Sequence, residues 1–276
     1  GLRAEFADMY KQTYKGVEAR LGRVMQLGLQ SDKLTEIYGY FESAPYPRLW
    51  RRGEEISDKG FSSRQFSVTN FDWGRRVLWH KNDRMDDQTR TLYDQARQAG
   101  ANWATLVERI FFQIVTGVAD AELLPAVPNA PDGVALFSGA ARFGAAAGNV
   151  VAGAGVAATA AVQDDFYRSM QRFIQFQDTE GQPLHQPEII DGGAVVIFGA
   201  GNLEVFQKAF LQRMISTAEA GAAHAPSNII MDAAFKVELW PTQRITDNDW
   251  YVFLKDSPKK PVFQQLRQPL EVHEKT

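Results

Sequence analysis

Cysteine is absent from all 276 residues. That removes disulfides, thiolate metal sites, iron–sulfur clusters and cysteine nucleophiles together. Histidine is scarce, at His80, His185, His224 and His273. No two of them stand three or four residues apart and none lies in an HExxH pattern, so a helical zinc pair has no support. No Gly-x-Ser-x-Gly elbow is present, so serine hydrolase chemistry has none either. A surplus of positive charge is also missing: Lys+Arg 30 against Asp+Glu 33 gives a net charge of −3. A dedicated duplex-DNA binder carries a basic excess. The first ten residues are too polar and charged for the apolar core of a secretory signal. Long apolar runs are limited to Phe143–Val162, nearly all Ala, Gly and Val. With little transfer energy into lipid, this segment reads as a small-residue loop or packed stretch, not a membrane span.

Hydrophobic residues make up 45% of the chain and charged residues 23%, the values of a folded globular protein. At about 150 residues per domain the length suits one large domain or two modest ones. Charge is unevenly spread. Residues 1–100 carry 17 basic and 14 acidic side chains, net +3, and residues 101–276 carry 13 and 19, net −6. The densest basic stretch is 48–84, with Arg48, Arg51, Arg52, Lys59, Arg64, Arg75, Arg76, Lys81 and Arg84 interrupted by five acids. It reads as a mixed-charge surface.

Apolar periodicity predicts the elements. Phe6, Tyr10, Tyr14, Val17, Leu21, Val24 and Leu27 imply a helix over 4–29, bent or broken at Gly16, Gly22 or Gly28. Residues 36–82 bring aromatics, Gly and Pro at close intervals. Phe66 and Val68, then Val77 and Trp79, fall at period two, with turns at Gly60 and Asp72–Gly74. A long antiparallel hairpin or small sheet is expected, too poor in Leu and Ile to bury both faces by itself. Leu92, Ala96, Ala99, Trp103, Leu106, Ile110, Ile114 and Val118 predict one long helix over 86–118, capped by Asp86 or Asp87 and ending near Gly117. Such a helix is about 45–50 Å long. Asp164 and Asp165 are read as caps of a helix over 163–177. A buried strand at Val195–Phe198, a helix from Leu203 to Met214 and a small-residue linker Ala218–Ala225 follow. Short strands are expected at Ile229–Met231, Phe235–Trp240 and Trp250–Leu254, with a last extended segment from Lys259 to Phe263.

Two glycine patterns invite a nucleotide. Gly199-Ala200-Gly201-Asn202-Leu203-Glu204 follows a strand and opens a helix. A dinucleotide turn needs a third small residue for close packing, and Glu204 stands there instead, where it would also repel a pyrophosphate. Gly153-Ala154-Gly155 has only a three-residue strand before it. Such turns are common without any ligand. Trp50 with Arg48, Arg51 and Arg52, and Trp73 with Arg75 and Arg76, interleave aromatic and guanidinium groups. These stack on bases or make protein contacts, and the neighbouring acids favour a protein interface.

The order of parts resembles a tailed-phage major capsid protein of the Hong Kong 97 type, with a closer likeness to the Mu-like prophage major head subunit. The residues that carry it are Ile37–Phe41 through Pro45 and Arg52-Gly53, then Phe71–Asp83. Asp132-Gly133-Val134-Ala135-Leu136-Phe137-Ser138 with the later Gly148-Asn149 also contribute. So do Gln186-Pro187 before Ala194–Phe198, and Lys259–Gln264.

The resemblance implies an α+β Hong Kong 97-like capsid fold. Its parts would be an N-terminal arm at 1–35, an extended β-hairpin loop at 36–85 and a peripheral domain at 86–185 with a spine helix at 86–118. An axial domain at 186–255 and a return to the peripheral domain at 256–276 complete it. It implies a shell protein that forms hexamers and pentamers around phage double-stranded DNA, bound without sequence specificity. Decoration, scaffold, portal and head-maturation protease proteins are the other implied partners. The place would be the virion capsid, assembled in the host bacterial cytoplasm, with no membrane involved. A start at Gly1 would suit a subunit cut by such a protease, or simple trimming of the chain. No catalytic residue, cofactor or metal is implied. Trp50, Arg51, Arg52, Lys59, Arg64, Phe66, Trp73, Arg75 and Arg76 are the expected inter-subunit contacts. Two alternatives stand beside it: a nucleotide-dependent oxidoreductase built on Gly199–Glu204, and a phage scaffold or tail-tube protein.

Overall fold

The computed structural model describes residues 1–43, 47, 49–52, 55, 60, 62–78, 90–142, 148–178, 180–184, 192–211, 236–255, 257 and 259–273. The first element is α1 (Leu2–Leu21), which runs through Gly16 and stops at Gly22, whose N–H bonds to Glu18 O. The break falls at Gly22, one of the three glycines expected to bend or break the helix over 4–29, but the helical reading of the residues beyond it is corrected. Met25–Gln30 is a strand, β1. Met25, Leu27 and Leu29 share its inner face at period two, which the helical spacing of Val24 and Leu27 concealed.

β2 (Thr35–Ser43) and β3 (Ser62–Thr69) pair antiparallel as the expected hairpin, with Tyr38 opposite Phe66. Residues 71–78 form no strand, so the period-two reading of Val77 fails there. Trp79 lies outside the described residues.

The long helix is present in two pieces, α2 (Thr91–Ala104) and α3 (Leu106–Thr116), joined at Thr105. Together they extend about 39 Å at 1.5 Å per residue, shorter than expected. Thr105 has ψ near 0° and donates its hydroxyl to Asn102 O, a local bond that competes with helix geometry. Gly117, at φ +69°, closes α3 with an N–H to Gln113 O. Asp86 and Asp87 lie outside the described residues.

The buried stripe also differs from the expected one. Ala96, Gly100 and Ala104 face α1, and Phe111, Phe112 and Val115 face the sheet, while Val118 is exposed. Small residues four apart let α1 and α2 touch backbone to backbone. A Cβ on Gly100 would fall 2.4 Å from Phe6 O. Arg97 reinforces the seam by donating to Glu5 at 2.7 Å.

After a loop comes α4 (Thr159–Gln175), then β4 (Ala194–Gly199), a 3-10 turn, α5 (Leu203–Leu211), β5 (Val237–Thr242), β6 (Trp250–Leu254) and β7 (Val262–Leu266). β4 is the central strand of a three-stranded sheet, parallel to β5 and antiparallel to β6. Every residue of β4 is buried. Val196 and Phe198 pack under α4 and α5 with Phe166, Phe206 and Phe210. Val195 and Ile197 point the other way, against α3 and the β1–β7 pair. A strand covered on both faces reads as a continuous apolar run, which is why this one was legible. The strand expected at Ile229–Met231, the linker Ala218–Ala225 and the end of the Leu203–Met214 helix lie outside the described residues.

Candidate assembly surface

The hairpin leaves the body through an elbow of fixed hydrogen bonds. Glu36 Oε1 accepts from the backbone N–H groups of Asp32 and Lys33 at 3.2 and 3.1 Å and from Ser31 Oγ at 3.2 Å. Asn70 and Gln265 each donate to Ser31 Oγ, tying the end of β3 and β7 to the same point. The Lys33 N–H does most to hold the Glu36 carboxyl below its ordinary pKa.

Beyond the elbow, one face of the hairpin rests on the body and the other does not. Tyr38 stacks on Phe66, both meet the Phe263 ring, and Tyr38 donates its hydroxyl to Gln265 at 2.8 Å. On the opposite face Ile37 is 68% exposed. Leu49 is 84%, Trp50 57% and Leu78 82% exposed, and Leu34, Phe71, Trp73 and Val77 are also exposed. Eight of the 14 exposed large hydrophobic residues among the described residues therefore fall between positions 34 and 78.

The expected contact residues separate into groups. Trp50, Arg51, Arg52, Arg64, Arg75 and Arg76 are exposed. Phe66 is half-buried and its ring contacts lie within the chain. Trp73 is partly covered, edge-on to Phe71, and its indole donates to Leu123 O at 2.9 Å. Lys59 lies outside the described residues, as do Arg48, Lys81 and Arg84.

The Asp132–Asn149 segment closes into a clasp that sequence reasoning named without a mechanism. Arg142 grips Asp132 with two donors, Nε at 2.6 Å and Nη2 at 2.9 Å, and reaches Leu136 O with Nη1 at 2.6 Å. Both side chains are about nine-tenths buried. Asn149 donates to the same Leu136 O and accepts from Ser138 N–H, bridging the loop. Gly148 passes so close to Ser138–Ala140 that no Cβ fits there. Burial pushes the Asp132 carboxyl up, but the bonds from Arg142 and the Val134 N–H outweigh it and leave its pKa low. Phe137, projecting from the clasp, packs on Tyr251 and Phe253. Burial, with Asp249 and Asp247 nearby, pushes the Tyr251 phenol up to about 12. Arg142 was missed in the sequence because its partner is ten residues away across a loop without periodicity.

In the glycine turns Gly199 and Gly153 are crowded by the chain itself, whereas Gly201 and Gly155 have open space where a Cβ would stand. A Cβ on Gly199 would meet Ile245 O at 2.8 Å, so this glycine serves a close backbone crossing within the chain. β4 has a single parallel neighbour in a three-stranded mixed sheet, and Glu204 pairs with Lys208. The oxidoreductase alternative gains nothing from this geometry. Gly153 faces Asp165, whose Oδ2 accepts the Ala154 N–H at 2.8 Å. Asp164 and Asp165 are consequently not caps. α4 starts at Thr159, and Asp165 is buried in its second turn, holding the glycine loop.

His273 is exposed beside Glu271, and His80, His185 and His224 lie outside the described residues. Among the described residues no three His, Asp or Glu side chains converge as a metal site would require, and no helix is long and apolar enough to cross a membrane. Residues 148–158 are a loop and Thr159–Val162 open α4, while 143–147 lie outside the described residues.

No protein-family model matches the chain, and no curated protein matches it. Among solved structures it is similar to a chain from the asymmetric unit of the bacteriophage PhiM1 mature capsid. The identity is 11% and the TM-score 0.49, covering 90% of this chain and 74% of that one.

Proposed function

We propose that this chain is a phage major capsid protein of the Hong Kong 97 type, which assembles into hexamers and pentamers and closes into an icosahedral shell around double-stranded DNA. The observation that carries the reading is the hairpin. One face is seated on β7 while the other presents Ile37, with Leu49, Trp50 and Leu78 also exposed. A concentration of exposed apolar side chains in one stretch of the chain suits an interface, and Trp and Arg are the residues that interfaces favour. The residue resemblances along the chain support the same reading. Under it the mechanism is repetition. Each subunit's hairpin crosses a neighbour, α2–α3 forms a stiff rib, and the β5–β4–β6 unit faces the capsomer centre. Many modest contacts close under symmetry without a catalytic step. The modest net charge suits an inner face that tolerates DNA without gripping it.

The test is a double variant, Leu49→Asp with Leu78→Asp, compared with wild type by sedimentation velocity. Both side chains are largely exposed in the single chain, so the melting temperature is expected to hold while association falls at least tenfold. Unchanged association in the folded double variant contradicts the hairpin's role.

A further inference from the structure

Ser31 sits where β1 ends and the hairpin begins, and it is only 5% exposed. Its backbone N–H continues the β1–β7 pairing with a 3.0 Å bond to Leu266 O, so its main chain belongs to the body. Its side chain serves the hairpin. A hydroxyl has one proton to give and two lone pairs to fill. Asn70 Nδ2 at 2.9 Å and Gln265 Nε2 at 3.1 Å fill the lone pairs. Glu36 Oε1 at 3.2 Å or Lys33 O at 3.1 Å takes the proton. The hydroxyl is used to capacity, and its partners come from the root of β2, the end of β3 and β7.

Gln265 carries the restraint outward. Its amide oxygen accepts the Tyr38 hydroxyl at 2.8 Å. One side chain of β7 therefore holds the elbow with its nitrogen and β2 with its oxygen. Gln265 is itself fixed opposite Leu29 in the β1–β7 ladder. Phe263, two residues earlier on the same face of β7, meets the rings of Tyr38 and Phe66. Asn70 closes the other strand: its Nδ2 reaches Lys33 O at 2.7 Å and its backbone N–H reaches Leu34 O at 2.8 Å. Both strands are thus tied to each other and to β7 close to the root of the hairpin. A swing of the hairpin would break the bonds at Ser31, Gln265 and Asn70 together. It would also leave a buried hydroxyl short of partners, which is unfavourable.

We infer that the network of Ser31, Glu36, Asn70 and Gln265 is a directional lock, which fixes the angle of the hairpin in the isolated chain and so aims its exposed face before any neighbour arrives. The neighbour rests on the capsid reading, whereas the lock is a property of the single chain. Its effect on association is preorganisation: the ordering cost falls on folding and is not met again on contact. A hairpin that orders only against its partner has no use for a buried polar centre at its root.

The chain has no cysteine, so two spin labels can be placed uniquely, through Gln65→Cys on β3 and Lys11→Cys on α1, both exposed positions. Pulsed dipolar spectroscopy then reads the distance distribution between hairpin and body in the dilute, unassociated full chain. One narrow distribution is the expected result. Ser31→Ala removes the shared hydroxyl, and Gln265→Met keeps the volume while removing both amide bonds. Each is expected to broaden the distribution roughly twofold, with amide exchange in β4 unchanged. A broad distribution with the lock intact overturns the inference, as does either variant, folded, at the original width. Should Ser31→Ala fail to fold, Gln265→Met decides. A narrow distribution that broadens in a chain that never assembles keeps the lock and removes the capsid reading. Closed shells from a chain whose distribution is broad with the lock intact do the reverse.

Discussion

Asp132 and Arg142 show how much one residue pair can organise. Their two-pronged contact, with Leu136 O and Asn149 added, replaces regular structure in a loop that has none. An intact buried pair contributes little net stability, but removing one partner strands a charge and costs about 3 kcal/mol. Arg142→Met is therefore expected to lower the free energy of unfolding by about that amount at neutral pH, measured by urea denaturation. The pH dependence has a definite sign. The folded pKa of Asp132 lies below its unfolded value, so its contribution is complete above about pH 4 and is lost as pH falls through the lower folded value. The stability gap between wild type and Asp132→Asn is expected to close in that acid range. A gap that persists there contradicts the role given to the carboxylate. Gly148, Asn149 and Asp132 were picked out in the sequence only by likeness. Their physical reason, a backbone crossing too tight for a Cβ, is a three-dimensional fact that spacing does not encode.

At the scale of elements, the legible parts were those whose burial matched a simple period. β4 is apolar throughout because both its faces are covered, and the hairpin alternates because only one face is. The rib was legible as a helix but not as to its face. Sequence reading weighted the large residues Trp103, Ile110 and Ile114. The seam with α1 is built from Ala96, which the expected stripe contained, and from Gly100 and Ala104, which it did not; the α1 backbone lies directly against Gly100. β1 was misread because Val24, Leu27 and the α1 stripe share helical spacing across the Gly22 stop. Gly100→Ala tests the seam directly. With Phe6 O 2.4 Å from the added carbon, the helices must separate, and a loss of roughly 1–3 kcal/mol is expected. It is accompanied by faster amide exchange in α1 than in β4. A neutral or stabilising substitution, as helix propensity alone would give, contradicts the close crossing.

At the scale of the whole molecule, the described structure has a firm centre and an apolar outrigger. The sheet is sealed on both sides by helices and by the β1–β7 pair, while the hairpin carries hydrophobic side chains into solvent. Leu49, Trp50 and Leu78 are exposed in the single chain, and under the proposed assembly a neighbouring copy would cover them. Of the residues expected at an interface, Trp50, Arg51, Arg52, Arg64, Arg75 and Arg76 are exposed, while Phe66 and Trp73 make contacts within their own chain. Single-sequence patterns do not reveal which side of a hairpin the body claims.

The measurement that bears most directly on this account is negative-stain electron microscopy of the purified chain, with light scattering on the same sample. Rings of five or six subunits, or closed shells, are the predicted result. Helical tubes would transfer the chain to a tail-type polymer, and a monodisperse monomer across the accessible concentration range would contradict the account.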